Sequence, residues 1–126
     1  MIDRTTPNPK TNDIFKSFAS SNFDYSSLAY SFLFSRQGQS SSVEMMALVG
    51  LCLLPVDNKA AYIEAIKAVH CYPERLEPWC VLLKASENKA SSCNLDYSRI
   101  LALTKAVSNL KNCTTNQPLI SWIEQQ

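Results

Sequence analysis

Glu64-Ala65-Ile66-Lys67-Ala68-Val69-His70-Cys71-Tyr72-Pro73-Glu74-Arg75-Leu76-Glu77-Pro78-Trp79-Cys80-Val81-Leu82-Leu83 is the stretch on which the fold turns. Extended back to Ala61, its first half sets alanines at 61, 65 and 68, the i, i+4 and i+7 positions of one helical face. Pro73 ends that helix, because proline disfavours the helical conformation in the residue ahead of it. Pro78 suits a first helical turn, and Trp79, Leu82, Leu83 and Ser86 continue at helical spacing. Two helices joined by so short a connection pack antiparallel.

The same pattern extends in both directions. Asp57 can cap the helix that ends before Pro73, which also carries Ala60, Ile63, Ile66 and Val69 on one face; Lys67 and His70 near its C-terminus suit the helix dipole. Upstream, Ser41-Ser42-Val43-Glu44 reads as a capping box opening a run through Leu48, Leu51 and Cys52 that Pro55 closes. Before it, Asp24 can cap a helix with Leu28, Ala29, Phe32 and Leu33 on one stripe, ending near Gly38. Residues 1–22 read as an irregular lead-in with one helical turn around Ile14, Phe15 and Phe18. Downstream, after the polar stretch Ser86 to Asn94, Ile100, Leu103, Thr104, Val107 and Leu110 form a further stripe, and a last helix begins at Pro118 with Leu119 and Trp122. No segment holds a strand pattern against these helical stripes.

Composition supports a helical chain and narrows its chemistry. The 126 residues are 46% hydrophobic and 18% charged, which fits one small globular unit. Gly38 and Gly50 are the only two glycines, so phosphate-cradling glycine loops and glycine-dependent hairpins have little material. Twelve Lys and Arg against eleven Asp and Glu give a net charge of +1, with no basic excess to drive direct nucleic-acid binding. Met45 to Leu54, the longest apolar run, is about half a bilayer span, so no membrane association is expected. Met1 to Lys10 lacks the apolar core of a signal peptide. Cys52, Cys71, Cys80, Cys93 and Cys113 form no Cys-x-x-Cys pair, which suits reduced thiols in a cytoplasmic or nuclear protein. Asn112-Cys113-Thr114 matches the glycosylation triplet, but nothing read here provides a secretory route.

Ala61, Ala68, Pro73 and Trp79 carry a sharper signal. Their spacing resembles the tetratricopeptide repeat, in which small residues let the second helix approach the first, a proline ends it and a large residue opens the next repeat. Counting back, Met45 and Leu48 fall at the large positions of the earlier helix. Val49 stands where a glycine is usual, with Gly50 one place late, leaving the alanines to supply the close packing. Thr104-Lys105-Ala106-Val107 and Ser121-Trp122 echo Ile66-Lys67-Ala68-Val69 and Pro78-Trp79 at a longer interval. The expected fold is therefore all-α, antiparallel helix pairs in a short tetratricopeptide-like solenoid, with degenerate repeats over 23–126. Within that family, Lys59 to Ala85 resembles the C-terminal repeats of the tetratricopeptide scaffold subunit of the Ski (superkiller) complex. The resemblance implies a fragment of a longer solenoid, a cytoplasmic location, a DExH-box RNA helicase and WD40 propeller subunits as partners, and exosome-linked 3′-to-5′ mRNA decay as the setting.

The residues themselves point away from catalysis. His70 and Cys71 are neighbours, but consecutive helical residues project about 100° apart, a poor arrangement for a nucleophile and its base. One His and five scattered Cys give no zinc knuckle, and no cofactor motif is present. Glu64, Glu74, Glu77 and Asp96 read as solvated charge, and Trp79 and Trp122 as buried between helices. Val43 to Leu54 has no cation, which argues against a clamp for peptide carboxylates. Tyr62, Lys67, Tyr72, Glu74 and Arg75 are the candidate partner contacts of a non-enzymatic scaffold or interaction module. The alternatives are a generic peptide-binding repeat unrelated to RNA and a small thiol enzyme using Cys71 with His70.

Overall fold

The computed structural model describes residues 10–22, 24–35, 42–87 and 97–126, and among them seven helices follow in order. They are α1 (Thr11–Ala19), α2 (Asp24–Ser35), α3 (Ser42–Leu53), α4 (Asn58–Cys71), α5 (Leu76–Ser86), α6 (Tyr97–Ser108) and α7 (Gln117–Glu124). The fold is all-α, with no strand among the described residues. Each helix packs against the next, and α3 also packs against α5 and α5 against α7, so neighbouring helix pairs stack. Such stacking lets each pair cover the apolar face its neighbour exposes.

Central position falls to α5, because its sequence leaves almost no polar face. Leu76, Cys80, Val81, Leu82, Leu83 and Ala85 are all buried, and α5 touches α3, α4, α6 and α7. A helix apolar nearly all round belongs in an interior. Around it, α4 presents Ala61, Ala65, Ala68 and Val69, while Ile63 of the isoleucine stripe is exposed and Ile66 half-buried. Short side chains let the backbones approach, so the alanine face wins over the bulkier one. Asp57 caps α4 as its sequence predicts, its carboxylate accepting the Ala60 N–H at 3.1 Å. Pro118 sits in the first turn of α7, also as predicted.

Gly50 contributes to the close packing that the sequence reading assigns to the alanines alone. A Cβ built on it would lie 2.7 Å from Val81 Cγ1, so α3 and α5 meet there because glycine has no side chain. Val81 is buried and β-branched, with little rotamer freedom in a helix. Gly50→Ala is therefore expected to lower stability by about 1–2 kcal/mol through overpacking, against its helix-propensity gain. Urea unfolding of Gly50→Ala, Val81→Ala and the double variant checks this: the double should lose less than the singles combined.

The lead-in differs from its irregular expectation. Residues 11–19 form a complete helix whose Ile14, Phe15 and Phe18 are buried. The short segment holds because α1 packs on both α2 and α7, and packing, more than propensity, stabilises a helix of this length. Phe18 meets Tyr25 edge-on at 5.5 Å and Trp122 at 5.1 Å between ring centroids. Thus α1 covers the apolar face of α7, and Trp122 is buried as predicted.

One detail of capping also differs. The acceptor at the start of α2 is Asn22 Oδ1, which takes the Asp24 N–H at 3.0 Å, so the cap precedes the Asp24 expected for it. Ser41, Gly38, Cys93 and Asp96 lie outside the described residues. Along α6, Ile100, Thr104 and Val107 are buried, but Leu103 and Leu110 remain 45% exposed. The expected five-residue stripe is narrowed because α6 packs chiefly on α5 and α7. No helix of the described residues is long and apolar enough to cross a membrane.

Candidate functional site

Polar side chains gather where α3, α5 and the turn before α7 meet. Glu77 stands in the first turn of α5, where a negative charge suits the helix dipole, and its residue is 0% exposed. Glu44, in the first turn of α3, is buried as well. Asn116 joins them: its Nδ2 donates to Glu44 Oε2 at 2.9 Å and to Glu77 Oε2 at 2.8 Å. Both acceptors are carboxylate oxygens, which fixes the orientation of the amide.

The turn from Cys113 to Asn116 is shaped to make this possible. Thr114 Oγ1 donates to Glu77 Oε2 at 2.5 Å and accepts the Asn116 N–H at 2.8 Å. Thr115 Oγ1 reaches Glu44 Oε2 at 3.5 Å. The Cys113 carbonyl accepts the Leu76 N–H at 2.7 Å and Arg75 Nε at 3.1 Å, so it satisfies an amide at the start of α5. Asn112, just before, adopts φ 62° in the left-handed region that asparagine tolerates better than most residues. Asn116 occupies the N-cap position of α7 without a side-chain cap bond, its amide being turned to the two glutamates.

Arg75 supplies the positive charge. Its Nη2 lies 3.6 Å from Glu77 Oε1, which has no hydrogen-bond partner and is held by charge alone. Two carboxylates that share the Asn116 amide, with the guanidinium beside Glu77 and hydroxyl donors around them, form a lock, since each group removed would strand another. Solvated charge, expected of Glu77, is corrected here: a lone glutamate in a helix with no polar face is carried inside with it.

The thiols near this lock respond to it. Burial first, then the negative charges of Glu77 and Cys113, push Cys80 well above the ordinary thiol value of 9.0. Burial and Glu77 also raise Cys113, against its backbone hydrogen bond and Arg75. Above pH 9.0 the unfolded chain ionises its thiol while Cys80 keeps its proton, so the folded state binds more protons. Stability is therefore expected to be full below that pH and to fall as pH rises toward the raised value. Urea unfolding at increasing pH checks this, and Cys80→Ala should flatten the fall.

The candidate partner contacts lie on α4 and the turn after it. Tyr62 and Tyr72 are half-buried, and Glu74 is exposed. Lys67 is exposed and pairs with Glu64 at 3.2 Å. Arg75 is half-buried, with its side chain bound to the Cys113 carbonyl and beside Glu77. His70 and Cys71 are both exposed at the C-terminal end of α4. Trp79 is half-buried, its Nε1 donating to the Pro73 carbonyl at 2.9 Å across the turn between α4 and α5. A cleft of about 280 Å³ lies among Tyr25, Leu54, Asn58, Lys84 and Glu87. Its polar ends are tied within the chain, Asn58 to the Ala85 carbonyl at 2.9 Å and Lys84 to Glu87 at 3.5 Å.

Sequence reasoning missed the lock because Glu44 reads as half of a capping box and Asn116 as a loop residue. The signal present was a glutamate alone in the first turn of an apolar helix. Compared with known proteins, the chain matches no family model, no curated protein and no solved structure.

Proposed function

We propose that the protein is a non-enzymatic interaction module, a scaffold of stacked helix pairs that binds other proteins through its outer surface. The observation that supports this reading is the division of its chemistry. Glu44, Glu77 and Asn116 are buried and bind one another, with half-buried Arg75 and Thr114 closing the group, so that they tie α3, α5 and the start of α7 together. Outside, apolar side chains stand exposed: Tyr30 and Phe34 of α2 are 63% and 79% exposed and stack on each other at 6.0 Å. Exposed aromatic surface of this kind marks contact sites.

The finer reading, a part of the Ski complex acting in cytoplasmic 3′-to-5′ mRNA decay, rests on the resemblance of Lys59 to Ala85. Affinity purification of the tagged chain tests it. Recovery of a DExH-box helicase and a WD40 propeller subunit supports the finer reading, other specific protein partners support only the module, and chaperones alone would sink both. Iodoacetamide titration at pH 6 tests the thiol-enzyme alternative, which requires an unusually reactive Cys71.

A further inference from the structure

The outer face of α6 combines exposed apolar side chains with exposed cations, and Glu87 stands near enough to Tyr97, at its start, for its negative charge to be felt there. Arg99, Leu103 and Ala106 recur at i, i+4 and i+7, the spacing of one helical stripe, and Leu110 follows in the turn after α6. Leu103 and Leu110 are each 45% exposed, and Ala106 between them, with Ala102 to one side of Leu103, forms a low ridge that is also exposed. From Tyr97 to Ile123 the chain carries Arg99, Lys105 and Lys111 and no aspartate or glutamate. Lys105 is turned toward the C-terminus, its Nζ donating to the Gln126 carbonyl at 2.8 Å, and Glu124 lies beside it at that flank. Arg99 and Lys111, both exposed, are the cations toward the two ends of the leucine stripe.

We propose that this face docks an acidic amphipathic helix of a partner protein. Its leucines meet Leu103 and Leu110 over the alanine ridge, and its carboxylates face Arg99 and Lys111. Small residues between larger ones admit a second helix at close range, and a cation at each end favours an acidic segment and excludes basic ones. An anionic bilayer fits less well, because the exposed residues of α6 include no aromatic anchor and its cations are too few to hold a membrane surface on their own. The proposal rests on the interaction-module reading and names its partner class.

Fluorescence anisotropy of the intact chain tests it, with a fluorescein-labelled peptide of glutamate, alanine and leucine, about sixteen residues long and with leucines at helical spacing. Saturable binding is expected, weakened by added salt. It should fall at least tenfold for Arg99→Glu/Lys111→Glu and for Leu103→Asp, with helix content by circular dichroism unchanged. No saturable binding, equal binding of the same peptide with lysine for glutamate, or undiminished binding by both variants would overturn the proposal. So would binding to phosphatidylserine vesicles in place of the peptide, or a dimer dissolved by Leu103→Asp. Capture of protein partners by a folded Leu103→Asp chain would move the contact elsewhere and leave the module reading standing, whereas an intact chain that captures nothing removes both.

Discussion

Asn116→Leu is expected to destabilise the fold by about 3–5 kcal/mol, the scale for breaking a buried charged network by removing one partner. Leucine matches asparagine closely in shape, so the loss comes from chemistry more than from a cavity. Without Nδ2, the Glu44 and Glu77 carboxylates lose the donor they share, and Thr114 and Arg75 remain to serve Glu77. Against a total of about 5–15 kcal/mol for a domain, such a loss leaves little reserve. Urea unfolding measures it, read as a fall in midpoint with the slope retained. Adding Glu44→Gln to Asn116→Leu should recover part of the stability, because one of two facing charges is then gone. No recovery would mean that the two carboxylates do not act on each other.

Phe18→Ala is the second large effect, about 3–5 kcal/mol for a buried aromatic side chain truncated to alanine. Phe18 joins three helices, touching Tyr25 of α2 and Trp122 of α7 from its place in α1. Its removal leaves a hole beside Trp122 and loosens α1, which is short and depends on that contact. Tryptophan fluorescence in a Trp79→Phe background isolates Trp122, whose emission should shift to the red in the folded variant. Removal of residues 1–22 should do the same more strongly. An irregular, unpacked lead-in would predict no shift in either case.

What was legible in the sequence follows from which signals are local. Helix positions depend on stripes, prolines and short polar caps, so α4, α5 and α7 could be placed from Asp57, Pro73, Pro78 and Pro118 alone. Which face of a helix is buried is less local. The isoleucine and alanine stripes of α4 are both helical patterns, and only the approach of α3 and α5 selects the alanines. Of α1 only one helical turn is legible, because the packing that extends it comes from α2 and from α7, nearly a whole chain away. The lock was hidden for the same reason, since Asn116 meets Glu44 across 72 positions and Glu77 across 39. The ties of Arg75 are hidden in the same way: its position beside Glu77 is local, but the burial that draws its guanidinium to that carboxylate and to the Cys113 carbonyl is not.

In the proposed division of labour the buried carboxylates serve the structure and binding takes place on the surface. Partner capture by the Glu44→Gln/Glu77→Gln chain tests that division most directly, because glutamine keeps the size and the acceptor oxygen facing Asn116 while removing both charges. Affinity purification beside the unmodified chain, with folding checked by circular dichroism, should recover the same partners in the same amounts. A folded variant that loses its partners would show that the carboxylates themselves are the working groups, and would contradict the account.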